Sequence, residues 1–324
     1  MKKFDSLLIY AYGGPEKMED VAPFLQSVAH GKPIPACRLA AVEAHYALFD
    51  GRSPMNGAIR KFMTQWEKNE PEIPVYYGTR HTQPTLKNAL EMLIADGRKA
   101  PLVFTPTPFG GYLGTYFEKL TEVQKELEAE GKTCPKLEFI PPFSKNPRFL
   151  SVLERAVQET LEKLGDITTQ KKAKLLFSVH SLPVTIARQG GYETEAQTAF
   201  SEISARFSEN ESFLVWQSAS ASPIPWLEPK ITDEIPRIAS VSDGNGKNEG
   251  DGENDRNDSL NNNFILIPLG FPFENMEVAY DLDVEATQLA EKLGWHAHRV
   301  PTIAHYAEFH EMIHAYLGEK EEED

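Results

Sequence analysis

The feature that most limits what this chain can fold into is an alternation. Eight short runs rich in β-branched, leucine and aromatic residues, bounded by Gly or Pro, are separated by longer stretches whose apolar residues recur with helical period. The runs fall at residues 6–11, 73–78, 101–105, 137–140, 174–179, 213–216, 264–269 and 296–300. Helical patterns fall at 56–68, 84–95, 116–129, 149–164, 193–207 and 284–293. Such alternation predicts a parallel sheet covered by helices, because parallel neighbours need a crossover long enough to hold a helix. At 324 residues the chain exceeds the roughly 250 that one core normally holds. Four runs lie on each side of residues 141–147, where Pro-Pro and Asn-Pro punctuate the sequence. The expected fold is therefore α/β, with two doubly wound domains spanning 1–145 and 146–318, each on a four-stranded parallel sheet.

Two segments stand outside this plan. Residues 240–263 turn to Gly, Asn, Asp and Glu with almost no apolar side chain, and 319–324 is an acidic tail. Neither can bury enough surface to offset its ordering entropy, so a disordered, solubilising insertion and tail are expected. The net charge of -15 argues against a nucleic-acid partner, whose phosphates call for clustered Lys and Arg. Two distant cysteines, Cys37 and Cys134, supply neither a disulfide framework nor a cysteine metal site, which fits a reducing cytoplasm. The start Met1-Lys2-Lys3 imitates a signal peptide, but Asp5 interrupts it and the apolar run is short, so it reads as a first strand. No stretch approaches the roughly 20 apolar residues of a membrane-spanning helix, although a peripheral membrane contact stays compatible with the sequence.

In open α/β sheets ligands bind beyond the carboxyl ends of the strands. The residues there are chemically concentrated: Tyr12-Gly13-Gly14-Pro15 after the first run, His180-Ser181-Leu182-Pro183 after the fifth, Gln217-Ser218 after the sixth, and Gly270-Phe271 followed by an acidic stretch after the seventh. Alone, His180 reads as a satisfied structural histidine. In the acidic stretch, however, Glu277, Asp281 and Glu285 are spaced i, i+4 and i+8, one face of a helix. A helix dipole accounts for one or two acids in a first turn but not for a row over two turns, whose like charges repel. Imidazole with carboxylates suits ferrous iron and other borderline divalent ions, and carboxylates alone can relay a hydrated one. The Gly-rich segment 106–116 lacks both G-x-G-x-x-G and a Gly-Lys-Ser/Thr ending, which argues against nucleotide binding. No G-x-S-x-G elbow supports a hydrolase.

Six motifs occur together and in order: Tyr12-Gly13-Gly14-Pro15, Gly51-Arg52-Ser53-Pro54, Tyr77-Gly78 with His81, Val179-His180-Ser181-Leu182-Pro183, Trp216-Gln217-Ser218 with Pro225-Trp226-Leu227, and Gly270-Phe271 with Glu277-Val278 and Tyr280-Asp281. On these the chain resembles the ferrochelatase family, including its soluble bacterial type, from about Leu7 to the C-terminal helix apart from the insertion. The resemblance implies two Rossmann-like domains with a porphyrin cleft between them. It also implies an enzyme, a lyase that inserts ferrous iron into protoporphyrin IX or coproporphyrin III late in haem biosynthesis. His180 and Glu277 fall where the family's paired His and Glu face the porphyrin centre, as catalytic and metal-contacting residues. Asp281 and Glu285 fall on its outer acidic ridge, and Tyr12, Tyr46, Ser53 and Tyr116 on its macrocycle contacts.

Three differences from the family pattern stand out. The basic stretch of the soluble type near the cleft mouth is replaced by Ala29-His30-Gly31-Lys32; Gly110, Gly111 and Gly114 stand where Ser is commoner, predicting a looser wall; and no cysteine-rich C-terminal extension follows. Porphyrin and ferrous iron are then the expected partners, with no tightly bound cofactor, no iron–sulfur cluster, a monomer and a cytoplasmic location. Metallation removes two pyrrole protons, so one of His180 and Glu277 serves as base and the other as ligand, the assignment being open at this level. Two other readings remain: a cobalt chelatase of tetrapyrrole biosynthesis, separable by rates with ferrous against cobaltous ion, and a non-catalytic haem or porphyrin carrier, which needs no acidic row.

Overall fold

A computed structural model describes residues 3–220, 223–244 and 262–318. Strand β1 (Ser6–Ala11) is buried along its whole length and pairs in parallel with β2 (Val75–Thr79) on one side and β3 (Pro101–Phe104) on the other. Burial on both faces is why these strands read as continuous apolar runs without alternation. With β4 (Glu138–Phe139) the order is β2-β1-β3-β4. The second sheet repeats it: β5 (Lys174–His180) lies between β6 (Ser212–Gln217) and β7 (Asn263–Ile267), and β8 (His296–Arg299) closes the edge, giving β6-β5-β7-β8. Both sheets are parallel throughout, as the alternation predicted. Each reverses direction beside its first strand, at the β1/β3 and β5/β7 gaps, where an open sheet leaves a crevice for ligands.

Two of the expected helices start slightly earlier, where a capped Pro opens them, and the one expected at 84–95 starts slightly later, behind its cap. Helix α3 (Pro54–Asn69) begins with Pro54 behind a Ser53 cap, and α6 (Pro147–Glu162) with Pro147 behind an Asn146 cap. Helix α4 (Leu86–Ala95) has a reciprocal Thr85/Asn88 capping box, and α5 (Gly114–Ala129) and α9 (Tyr192–Ser204) complete the expected set in the first two-thirds of the chain. Helices α1 (Val21–Val28), α2 (Ala36–Ala47), α7 (Ile167–Lys172), α8 (Val184–Gln189), α10 (Ile231–Gly244) and a last one over Ala307–Ala315 had no predicted counterpart. Helix α2 buries only Tyr46, so it has no apolar stripe to detect. The front of the expected insertion is also ordered: 240–244 completes α10, and Asn263 opens β7. Residues 245–261 and the tail 319–324 lie outside the described residues.

One hydrophobic cluster runs through both halves. Phe62 of α3 and Phe104 of β3 stand 5.5 and 6.1 Å from Phe273, and Phe104 is 6.1 Å from Phe309 of the last helix. Such pairs contribute roughly 0.5–1.5 kcal/mol each beyond their area. The connection at 141–147 joins this core, with Phe143 buried and its N–H bonded to the Pro108 carbonyl at 3.0 Å. The two sheets are thus fixed relative to one another. No described helix is long and apolar enough to cross a membrane.

Candidate active site

Each crevice delivers its own side chains. After β1 the chain turns at Gly13, whose φ is +88° and whose missing Cβ would meet the Thr82 hydroxyl at 2.4 Å. This position therefore needs glycine. The turn sets Tyr12, whose carbonyl accepts from the His81 N–H at 3.1 Å and whose ring lies 4.5 Å from the His81 ring. Burial, reinforced by the Arg80 charge, lowers the His81 imidazole to about 4 and keeps it neutral.

His180 is the last residue of β5. The turn behind it is tied down by the Ser181 N–H to the Gln217 carbonyl at 2.7 Å and the Ser181 hydroxyl to the Leu227 carbonyl at 3.0 Å. The Tyr192 hydroxyl donates to the His180 carbonyl at 3.1 Å. Nδ1 of His180 lies 2.6 Å from the Ser181 carbonyl oxygen. A carbonyl only accepts, so Nδ1 carries the proton and Nε2 keeps its lone pair.

Past β7, Asn275 accepts from the Val278 N–H at 2.8 Å and starts a π-helix over Val278–Ala286, continued as an α-helix over Thr287–Lys292. The helix predicted at 284–293 therefore begins earlier and more loosely wound. Wide i→i+5 turns are rare and concentrate at functional sites. A spacing of four overshoots a full α-turn and falls short of a π-turn, so on either winding the acids stay near one face. Glu277, Asp281 and Glu285 all line one cavity of about 1130 Å³. The other two acids of this stretch, Glu274 and Asp283, instead pair with Arg299.

No ion pair reaches the three cavity acids among the described residues. Asp281 accepts from the Ser218 hydroxyl and from the Gln217 amide at 3.2 Å, and that amide also donates to the Glu277 carbonyl at 2.9 Å. The Ser178 hydroxyl holds the other end of Gln217. Burial drives Asp281 up to about 7 against the Ser218 bond, with the Glu277 and Glu285 charges adding to the rise. Burial also raises Glu285.

A narrower lobe of about 200 Å³ adjoins the main cavity; Tyr12, Tyr46, His180 and Glu277 line both, so the two lobes meet at the His–Glu pair. Ser53 and Tyr116 line the inner lobe only, and Asp281 and Glu285 the outer one only. All eight candidates from the sequence thus border one chamber. Its volume exceeds the roughly 300–1,000 Å³ of ordinary small-molecule sites, room for a large flat ligand. Burial, with Glu277 and Tyr12 close by, raises the Tyr46 phenol, which stays neutral.

The four residues expected to contact metal line the chamber as a row and not as a closed site: among the described residues no group of three or more His, Cys, Asp or Glu could hold an ion. One expectation needs correction. Gly110 and Gly111 do not loosen the chamber, although Gly114 has open space around it. A Cβ on Gly111 would stand 2.8 Å from the Gly190 carbonyl and one on Gly190 2.6 Å from the Gly111 carbonyl, so at Gly111 the two halves meet backbone to backbone. The Gly110 N–H bonds Glu195 at 2.6 Å across the same seam. Sequence reasoning missed Arg38, His45 and Lys230, which also line the outer lobe, and the stacking of His45 on Tyr280 at 3.7 Å.

A chamber between two parallel sheets, with His180 and Glu277 lining both of its lobes and an acidic wall in the outer one, is the architecture of a tetrapyrrole metal chelatase. The ferrochelatase description matches residues 5–243 and 254–321. The chain belongs to the ferrochelatase family, lyases that insert iron into porphyrin in haem biosynthesis. It is 34% identical to a coproporphyrin III ferrochelatase of Corynebacterium glutamicum, covering 98% of this chain and 84% of that one. It is 31% identical to a ferrochelatase of Rhodopirellula baltica, over 98% and 86%, and 31% identical to a coproporphyrin III ferrochelatase of Mycobacterium tuberculosis, over 90% and 79%. A multi-domain protein of Deinococcus radiodurans with structural similarity to chelatases superposes at a TM-score of 0.47, with 14% identity, over 98% of this chain and 55% of that one.

Proposed function

We propose that this chain inserts ferrous iron into coproporphyrin III, with His180 as the base at the ring centre. The observation that carries this reading is the position of His180 and Glu277 where the two lobes meet, fed by an acidic wall. Metallation replaces two pyrrole protons by one divalent ion. With its Nδ1 proton committed to Ser181, His180 has only Nε2 free to accept a pyrrole proton; it takes the two in turn, handing the first to water in the chamber before the second, and the imidazolium formed each time keeps the same bond. Glu277 then offers negative charge to the ion and to that imidazolium. Asp281 and Glu285 exchange carboxylate for water on the arriving ion, and a carboxyl that ionises near neutrality can release it again.

Coproporphyrin is favoured over protoporphyrin by the names of the relatives. No resident cofactor is required by these steps, and two cysteines are too few to ligate an iron–sulfur cluster within the chain. Every candidate residue comes from one chain, so a monomer suffices, and a cytoplasmic location accords with a reducing supply of ferrous iron. Anaerobic incubation of the purified chain with ferrous iron and each porphyrin tests the reading. Conversion of the free-base absorption bands to those of the iron complex, faster with coproporphyrin III, is the expected result. Binding without conversion would leave only a carrier.

A further inference from the structure

The outer lobe has a charge pattern that metal delivery does not use. Besides its acids it is lined by two cations, the exposed Arg38 of α2 and Lys230 just before α10, one from each half of the chain. The Arg38 guanidinium donates to the Ser220 hydroxyl at 2.8 Å and has no carboxylate partner among the described residues. Lys230 is half-buried, with no side-chain hydrogen bond or ion pair among the described residues. Its backbone is held firmly: it bridges Trp216, whose N–H bonds the Pro229 carbonyl at 2.9 Å, and its own carbonyl accepts from the Asp233 and Glu234 N–H groups at 3.0 Å. An ammonium at the cavity wall with no carboxylate bonded to it keeps its three donors for an arriving anion. Among the described residues the inner lobe offers hydroxyls such as Ser53, Thr107 and Tyr116 but no Lys or Arg, and residues 29–32 line neither lobe.

We infer that Arg38 and Lys230 form the carboxylate-recognition site of the chamber, receiving acidic side chains at one edge of the tetrapyrrole and selecting ring substrates by their number of carboxylates. The inference rests on the porphyrin reading above. It sets the orientation of the ring, with an acidic edge at the outer wall and the centre near His180. It also makes a tetracarboxylic ring a better ligand than a dicarboxylic one. Arginine offers a planar fork and lysine a point charge, so the two positions differ in how strictly they fix a carboxylate.

The test uses the full chain and metal-free coproporphyrin III, titrated by the shift of its main absorption band, beside its tetramethyl ester in the same dilute detergent. Arg38→Gln and Lys230→Gln are each expected to weaken the free acid by about tenfold, as loss of a hydrogen bond to a charged group does, and to leave the ester unchanged. Lys230→Arg should restore the affinity. Equal losses for acid and ester, or no loss, would overturn the inference. Because binding is read without iron, a wild type that binds in this charge-dependent way but never metallates defeats the chelatase reading alone. A wild type that metallates with charge-independent binding defeats this one alone, and binding of neither porphyrin defeats both.

Discussion

The Nδ1 of His180 lies 2.6 Å from the carbonyl oxygen of Ser181, its immediate neighbour in the chain. A main-chain acceptor cannot be removed by changing a side chain, so this tautomer is built into the strand end. With Nε2 as the base, His180→Ala should lower the turnover number by roughly 10²–10⁴-fold, the usual share of a general base. Porphyrin affinity should stay within a few-fold, read by titration of the absorption band. Undiminished turnover would remove His180 from the chemistry.

Asp281 gives a pH signature of defined sign. In the unfolded chain its carboxyl ionises near 3.8, in the folded chain only near 7, so the native state holds the proton more tightly across that window. Stability conferred by the protonated form is complete below about 3.8 and lost as pH rises to 7, by at most about 1.4 kcal/mol per unit. Asp281→Asn keeps an oxygen for Ser218 and Gln217 and removes the titration. Urea unfolding should show the variant level with wild type at pH 4 and more stable at pH 8. A constant difference across the range would contradict the assignment.

Glu285 stands in the row farthest along the chain from Glu277 and lines only the outer lobe. If it hands iron inward, Glu285→Ala should raise the apparent KM for ferrous iron about three- to tenfold and leave that for porphyrin unchanged, a loss of roughly 1 kcal/mol in an encounter contact. Initial rates with each substrate varied in turn decide it; a row that is merely solvated would move neither constant.

The seam at Gly111 predicts an effect far from the acids. A methyl group there would sit 2.6 Å from the Tyr192 Cβ and 2.8 Å from the Gly190 carbonyl, where no flexible side-chain end can yield. Gly111→Ala should cost about 1–3 kcal/mol in unfolding free energy, as overpacking does. Gly114→Ala, with open space around it, should cost nothing measurable. Parallel urea titrations of the two variants make the comparison.

Strands β1, β2, β3, β5 and β7 were readable because burial of nearly every residue leaves an uninterrupted apolar signature, whereas the edge strands β4 and β8 hold no buried residue and were marked only by the apolar residues beside them. The acid row was readable too, since a spacing of four keeps one face whether the winding is α or π. The π-winding itself was not, because it depends on i→i+5 bonds that no residue type dictates. Helix α2 left little trace, with Tyr46 its single buried residue. Arg38 and Lys230 were invisible for another reason: nothing in their spacing relates two cations that are 192 positions apart. Their approach is made by the bridge from Lys230 to Trp216 and by the reach of α2 across to Ser220. Gly111 was misjudged because glycine reads as slack in sequence, whereas here its missing side chain lets two backbones touch.

The phenylalanine cluster common to the two sheets bears on how a rigid disc gets in and out. With Phe62, Phe104, Phe273 and Phe309 interleaved, prising the halves apart like a clam would tear the core. Helix α2 is held by less: at the chamber it meets the opposite half through the Arg38–Ser220 bond, the His45–Tyr280 stack and the small cluster of Tyr46 with Met276. The fused core thus leaves the small cluster at α2, and not the junction of the sheets, as the place where the mouth can widen with least loss of buried surface.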